Sequence, residues 1–405
     1  MDMDEEMEVS REGRRRELED VSSVIALAKL DEKDLKPVSQ ALFFVEDDEE
    51  SDFKILELNK ELLECVQEGK SLVIRGLEDD EAVLCTDDAT YEIRGAETSN
   101  SMLLIPELIF PDDVPNSLEE RIIEEKTVIS VIHNYFELRR CQPRVNKIAR
   151  LLESSVYRGK EHENEVSGTM YSLEDLLDIV QCSNKELASA LAEIEAYNIN
   201  GYWRLLEFDY HFRVLTYILN LVEENSWPFD EVPKNETLES LSTLVPSDIL
   251  EQCFGYYSEA TGTYSDKGDQ LFKLKEHKVC RFLAKVLLKP AGKFNLEEFL
   301  EAWQQSVPEG MKTSIQHLNG LALVNENESP PVAQYFPESE LPDDPGKRFE
   351  LLFHVKETWT LEAITPFIER LAPNKAGVSA LLLKYARAYH SPNGKGRLYA
   401  ARHSK

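Results

Sequence analysis

Three stretches of the chain repeat one local plan, and that plan limits the possible folds more than any other feature. In the first, Ser172-x-x-Asp175 is a capping box, and Leu173, Leu176, Leu177 and Val180 follow at helical spacing. A second capping box, Ser183-x-x-Glu186, opens a helix with Leu187, Leu191 and Ile194 on one face, and Gly201 then leads into YWRLLEF. The second stretch starts at Asn295-x-x-Glu298 with Leu296, Phe299, Leu300 and Trp303, turns through SVPEGM, and ends in Gly320 and LALV. The third starts at Thr360 with Leu361, Ile364, Ile368 and Leu371, then Val378, Leu381, Leu382 and Tyr385, and closes on a turn at Ser391-Pro-Asn-Gly394. Any helical protein yields amphipathic pairs. A glycine or turn and a strand after each pair is more specific, and predicts the winged-helix form of the helix-turn-helix.

Upstream the punctuation changes. Short apolar or alternating runs at 41–45, 53–58, 71–75, 82–85, 91–94 and 102–105 are separated by turn formers, with one helical insertion at 59–67. Strands of that length and spacing predict a small barrel or sandwich, whose edges need covering. Pro106, Pro111 and Pro115 mark the exit from this part. Further linkers are expected at 158–170, 224–246 and 325–345. The expected fold class is α+β and multidomain. A charged tail spans 1–20, a β-barrel-like domain 21–128, a winged helix with a helical lead-in 129–222, a second winged helix 223–325, and a third with a basic tail 340–405.

Composition narrows the function classes. A formal net charge of −31 disfavours non-specific attraction to phosphate backbones or anionic lipid as a property of the whole chain. A charged start and no long apolar run predict a soluble, non-secreted protein without a membrane partner. The first 20 residues mix nine acids with four arginines and predict disorder, with Arg14-Arg15-Arg16 reading as a solvated charge run. Six scattered cysteines predict reduced thiols. Glu68-Gly69-Lys70-Ser71 lacks the first glycine of a P-loop and sits between helix and strand in the wrong order. His277 and Cys280, at i and i+3, read as structural, and Gln40-Ala-Leu-Phe-Phe44 has the wrong spacing for a clamp-binding peptide. No catalytic, metal or cofactor site is expected.

Two local charge anomalies stand out. RRCQPRVNKIAR (139–150) holds five basic residues and no acid. From Asn374 to Lys405 there are seven basic residues and no acid, so the tail is +7 while the remainder is −38. Lys384 and Arg387 are expected near the end of a recognition helix, with Lys395 and Arg397 in its wing. This is the footprint of salt-sensitive, sequence-independent DNA contact, set against a basic tail that only balances an acidic body.

SLVIRG (71–76), AVLCT (82–86), ETSNSMLLI (97–105), NYFELRR (134–140), GYWRLLEFDY (201–210) and WQQSVPEGM (303–311) together resemble the "defective in sister chromatid cohesion" family. The resemblance runs from about Ala26 to Arg397. That family is an accessory subunit of the alternative, cohesion-linked replication factor C clamp loader of eukaryotes. The resemblance implies a non-enzymatic nuclear, chromatin-associated protein. It also implies a β domain that assembles with a small accessory subunit and the large ATPase subunit, using Leu72, Ile74, Val83, Leu103 and Ile105. Its winged helices would meet the catalytic subunit of DNA polymerase epsilon through Asn134, Tyr135, Arg139, Arg140, Tyr202 and Arg204. Lys384, Arg387, Lys395 and Arg397 would meet DNA, and PCNA would be engaged only indirectly. In GYWRLLEFDY, Gly201 is expected to end a helix, Trp203 and Leu205 to face the core, and Tyr202 and Arg204 to point outward. The alternative is a stand-alone winged-helix DNA-binding regulator.

Overall fold

A computed structural model describes residues 16–44, 53–115, 118, 120–143, 145–325, 328–372, 375–390 and 397–402. Most of the charged tail, with Arg14 and Arg15, lies outside them, as do Lys395 and Lys405. The chain is mixed α+β with a curled, half-barrel sheet, and it divides into two units.

The first unit takes in the chain up to Glu64 and Ile93–Arg139. After the helix Leu18–Leu27, the strand Val38–Phe44 pairs in parallel with Ile122–Val128, from Val38 opposite Ile122 to Phe44 opposite Val128. These two strands form a sheet by themselves. Gln40 lies inside the first of them, its side-chain amide exchanging two 2.8 Å hydrogen bonds with the backbone of Ile109, so QALFF is a strand. Ile55–Leu56 runs parallel to Ser130–Arg140, which neighbours Thr90–Leu104. That last strand is continuous where the sequence suggested a turn at 99–101. Ser99, Asn100 and Ser101 are all exposed there along an extended backbone, which serine and asparagine tolerate on an open sheet.

The second unit holds Cys65–Glu92 and everything from Arg140 onward. The expected block 21–128 is therefore divided. Val73–Arg75 pairs antiparallel with Val83–Cys85, which pairs with the first residues of Thr90–Leu104. Side chains from this hairpin fasten onto the helices after it. Arg75 donates to the Leu177 carbonyl at 2.8 Å, and the Thr90 hydroxyl donates to the Glu186 carboxylate at 2.6 Å. Such partners lie about a hundred residues away in sequence, which is why spacing along the chain did not expose them.

Downstream, one strand order recurs three times. A short strand lies at one edge, the last strand in the middle and the second at the other edge: Val232–Pro233, Gln270–Leu274, Ser258–Tyr264; Lys293–Asn295, Val332–Tyr335, Ala322–Asn325; and Thr358–Thr360, Arg397–Ala401, Ala386–His390. Each has a helix before its first strand and helical turns after it. A fourth, simpler version comes first, with Asn146–Glu153, Leu173–Ile179 and Asn184–Glu193 followed by the hairpin Tyr197–Ile199 and Tyr202–Arg204. The repeat spanning 208–274 covers the expected linker at 224–246. Pro233 and Pro246 fall within that stretch. Each sits at the N-cap of a helix, Lys234–Leu241 and Ser247–Tyr257, where a missing N–H costs nothing. A single core joins the second and third repeats, through residues such as Tyr257, Leu274, Val279, Leu283 and Trp303, and takes in Tyr157, Tyr197 and Ile199 of the first. The first and last repeats have cores of their own.

Gly201 does not end a helix. Asn200 and Gly201 both have positive φ (54° and 89°) and form the two-residue turn between Tyr197–Ile199 and Tyr202–Arg204. The strand then stops, and the long helix Phe208–Glu224 begins inside the stretch read as a wing strand. Among the described residues no helix is long and apolar enough to cross a membrane.

Candidate functional site

The basic set expected on DNA is only partly drawn together. Lys384 is exposed on the helix Lys375–Tyr385, but the helix ends at Tyr385, so Arg387 lies on the following strand and not one turn on. Arg387 pairs with Ala400 and His390 with Arg397. Positions three apart on a strand face opposite ways, so Arg387 and Arg397 lie on opposite faces of the hairpin. Lys395 is outside the described residues. Arg402 closes the end of the helix by donating to the carbonyls of Leu383 and Lys384 at 3.3 and 3.0 Å.

Of the residues expected at the polymerase, Asn134, Tyr135, Arg139 and Arg140 lie on the strand Ser130–Arg140 instead of a helical lead-in. Only its start alternates, with Ser130 and Ile132 buried and Val131 and His133 exposed. Tyr202 is exposed. Arg204 is not: it is 1% exposed, donates from Nε to the Ser155 carbonyl at 2.6 Å, and grips Glu163 from Nη1 at 2.7 and 2.8 Å. An arginine so enclosed is a structural clamp, because its donors are already used. In the assembly set, Ile74 and Leu103 are exposed, and Leu72 and Ile105 are half-buried. Val83 is buried and unavailable to a partner.

A site absent from the sequence reading lies on the helix Glu276–Ala291. Lys278, Arg281, Lys285 and Lys289 recur at three- and four-residue intervals and form one stripe. The stripe borders two adjoining cavities, of about 850 and 530 Å³, which share Glu195, Phe282 and Lys285. Arg281 donates to the carbonyls of His317 and Asn319 at 3.0 and 2.6 Å. The three lysines lie over aromatic rings: Lys278 over Tyr256 at 5.5 Å, and Lys285 and Lys289 over Phe208 at 5.4 and 4.5 Å. The spacing was visible in EHKVCRFLAKVLLKPA, but only the fold shows that this face borders a cavity.

Behind Glu195 is a buried polar cluster. The Tyr257 hydroxyl donates to Glu195 at 3.1 Å, and His211 Nε2 lies 3.1 and 3.2 Å from the hydroxyls of Tyr197 and Tyr257. Burial raises the Glu195 carboxyl above its usual range, against the pull of Lys278, Lys285 and Arg281. Burial also lowers His211 from 6.5 to about 3, with Lys285 adding to the effect. The folded ring thus stays neutral where an unfolded histidine takes a proton. The unfolded state then binds more protons as pH falls from 6.5 towards 3, and folding stability drops across that window. Glu195 has the opposite sign just above the ordinary carboxylate range. His211→Gln is expected to flatten the decline of the urea midpoint between about pH 6.5 and 5. An unchanged slope would assign the acid sensitivity to other groups. Burial also pushes the thiols of Cys182, Cys253 and Cys280 up to about 12, so they remain protonated and poorly nucleophilic at neutral pH. No metal-binding cluster occurs among the described residues.

Comparison with known proteins adds a separate line. The family model described as sister chromatid cohesion protein Dcc1 matches residues 53–368. A sister chromatid cohesion protein DCC1 from Xenopus tropicalis is 40% identical over 374 residues, covering 92% of this chain and 95% of the relative. The Homo sapiens protein of that name is 39% identical over 379 residues, covering 92% and 96%. The Saccharomyces cerevisiae protein is 25% identical over 367 residues, covering 83% and 93%.

Proposed function

The chain belongs to the sister chromatid cohesion protein Dcc1 family, and on that premise we propose that it acts in sister chromatid cohesion as a non-catalytic accessory subunit of an alternative clamp loader. Its partners in this reading are the loader's large ATPase subunit, the small accessory subunit and the catalytic subunit of DNA polymerase epsilon. PCNA is handled indirectly, and the protein works on chromatin in the nucleus.

The observation that carries the assembly role is the unfinished sheet of the first unit. Among the described residues the parallel pair has no further strand beside it, and Leu42, Phe44 and Ile122 on it are exposed. Parallel strands are normally covered on both faces, and open edges are protected. Strands from partner chains would complete the barrel. The repeats downstream we read as winged helices, four in number, supported by the recurring strand order. Affinity capture of the full chain from nuclear extract, with mass spectrometry, is expected to recover clamp-loader subunits in fixed proportion. Recovery of the chain alone, with a monomer in solution, would sink this reading.

The DNA contact is placed on the last repeat, where Lys384 and Arg387 are both exposed. Replacing both by alanine is expected to weaken duplex binding and to reduce the salt slope by about one to two, with equal affinity for unrelated sequences. Strong sequence preference would favour the stand-alone regulator, and an unchanged salt slope would remove DNA from this surface.

A further inference from the structure

We propose that the lysine stripe of Glu276–Ala291 and the cavities beside it form a docking groove for an acidic peptide with apolar side chains, supplied by a partner protein. The stripe from Lys278 to Lys289 runs about 16 Å, the reach of about five extended residues. Among the described residues none of its three lysines forms an ion pair, and each ammonium group rests on an aromatic ring. Ammonium groups without a direct ion pair along a concave wall, in a chain of net charge −31, are a local exception. They attract carboxylates along a route the rest of the surface repels.

The walls identify the ligand further. Ile194, Leu205, Phe208, Phe212, Phe282 and Val286 line the larger cavity, and its volume suits several side chains. Glu195, Glu207 and Asp209 also face it. A nucleic-acid backbone is charged at every residue and has no aliphatic side chain to set against Ile194, Leu205 and Val286. A peptide can set its acids opposite Lys278, Lys285 and Lys289 and its apolar side chains against the phenylalanines. The groove shares no residue with the open sheet or with the basic hairpin of the last repeat, so its test is independent of the clamp-loader reading.

The test uses the full chain and a fluorescein-labelled pool of octapeptides with glutamate at alternate positions and a random apolar residue between. Fluorescence anisotropy is expected to show at least about tenfold tighter binding than for the same pool with glutamine for glutamate. The combined K278Q, K285Q and K289Q variant should erase that preference while melting at the wild-type temperature. The matching arginine variant, K278R with K285R and K289R, should restore it. Three results would overturn the proposal: no preference for the acidic pool in the wild type, equal preference in the glutamine variant, or loss only of a labelled oligothymidylate by that variant.

Discussion

Arg204→Ala is expected to destabilise the first helical repeat by about 3 kcal/mol, the low end for breaking a buried ion pair. The guanidinium is 1% exposed, and its loss would strand the carbonyls of Ser155 and Val156 as well as Glu163. Glu163 is 32% exposed and can recover water, which holds the figure at that low end. The stack of Arg204 over Tyr157, at 5.1 Å, would go too. Glu163→Gln should cost less, because the amide oxygen still accepts from Nη1. Urea unfolding of the full chain followed by circular dichroism, with amide exchange at 155–165, would report both. Unchanged stability with partner binding lost would return Arg204 to the surface contacts.

Arg348→Ala should produce a loss of about 3–5 kcal/mol, felt at the junction between the last two repeats. Arg348 is 3% exposed. It donates to the carbonyls of Pro342, Phe367 and Leu341 at 2.7, 2.9 and 3.1 Å, and to Glu338, whose other oxygen accepts from Arg370 at 3.0 Å. Glu338 follows the strand Val332–Tyr335, and Arg348 lies in the helix Pro345–Val355 that opens the next repeat. Without the arginine, three carbonyls lose a buried donor and Glu338 loses its tie to the helix that opens the last repeat. Differential scanning calorimetry is expected to show the last repeat melting earlier, as a separate transition. One cooperative transition at the wild-type temperature would contradict this.

Local signals were legible where the physics is local. The capping boxes at Ser172 and Ser183 form as the sequence spacing indicates, and Asn295 and Thr360 cap the helices assigned to them. Other signals were present but outweighed. Asn200-Gly201 between alternating residues is a strong hairpin sign, and it was masked by reading the glycine as a helix stop. The repeat at 208–274 was hidden by the linker expected at 224–246. What could not be read was pairing at a distance. Arg204 and Glu163 stand 41 residues apart, and nothing in either segment distinguishes a clamped arginine from an exposed one. The lysine stripe was legible as spacing, whereas its cavity depends on packing between repeats.

The core shared by the second and third repeats has a consequence for ancestry. Because Leu274 and Tyr257 pack in one interior with Val279, Phe282 and Trp303, neither repeat could have been gained, lost or exchanged alone without exposing half of that interior. The pair is a single packing unit. A fragment cut at Lys275 should therefore be insoluble even though it ends between two regular elements.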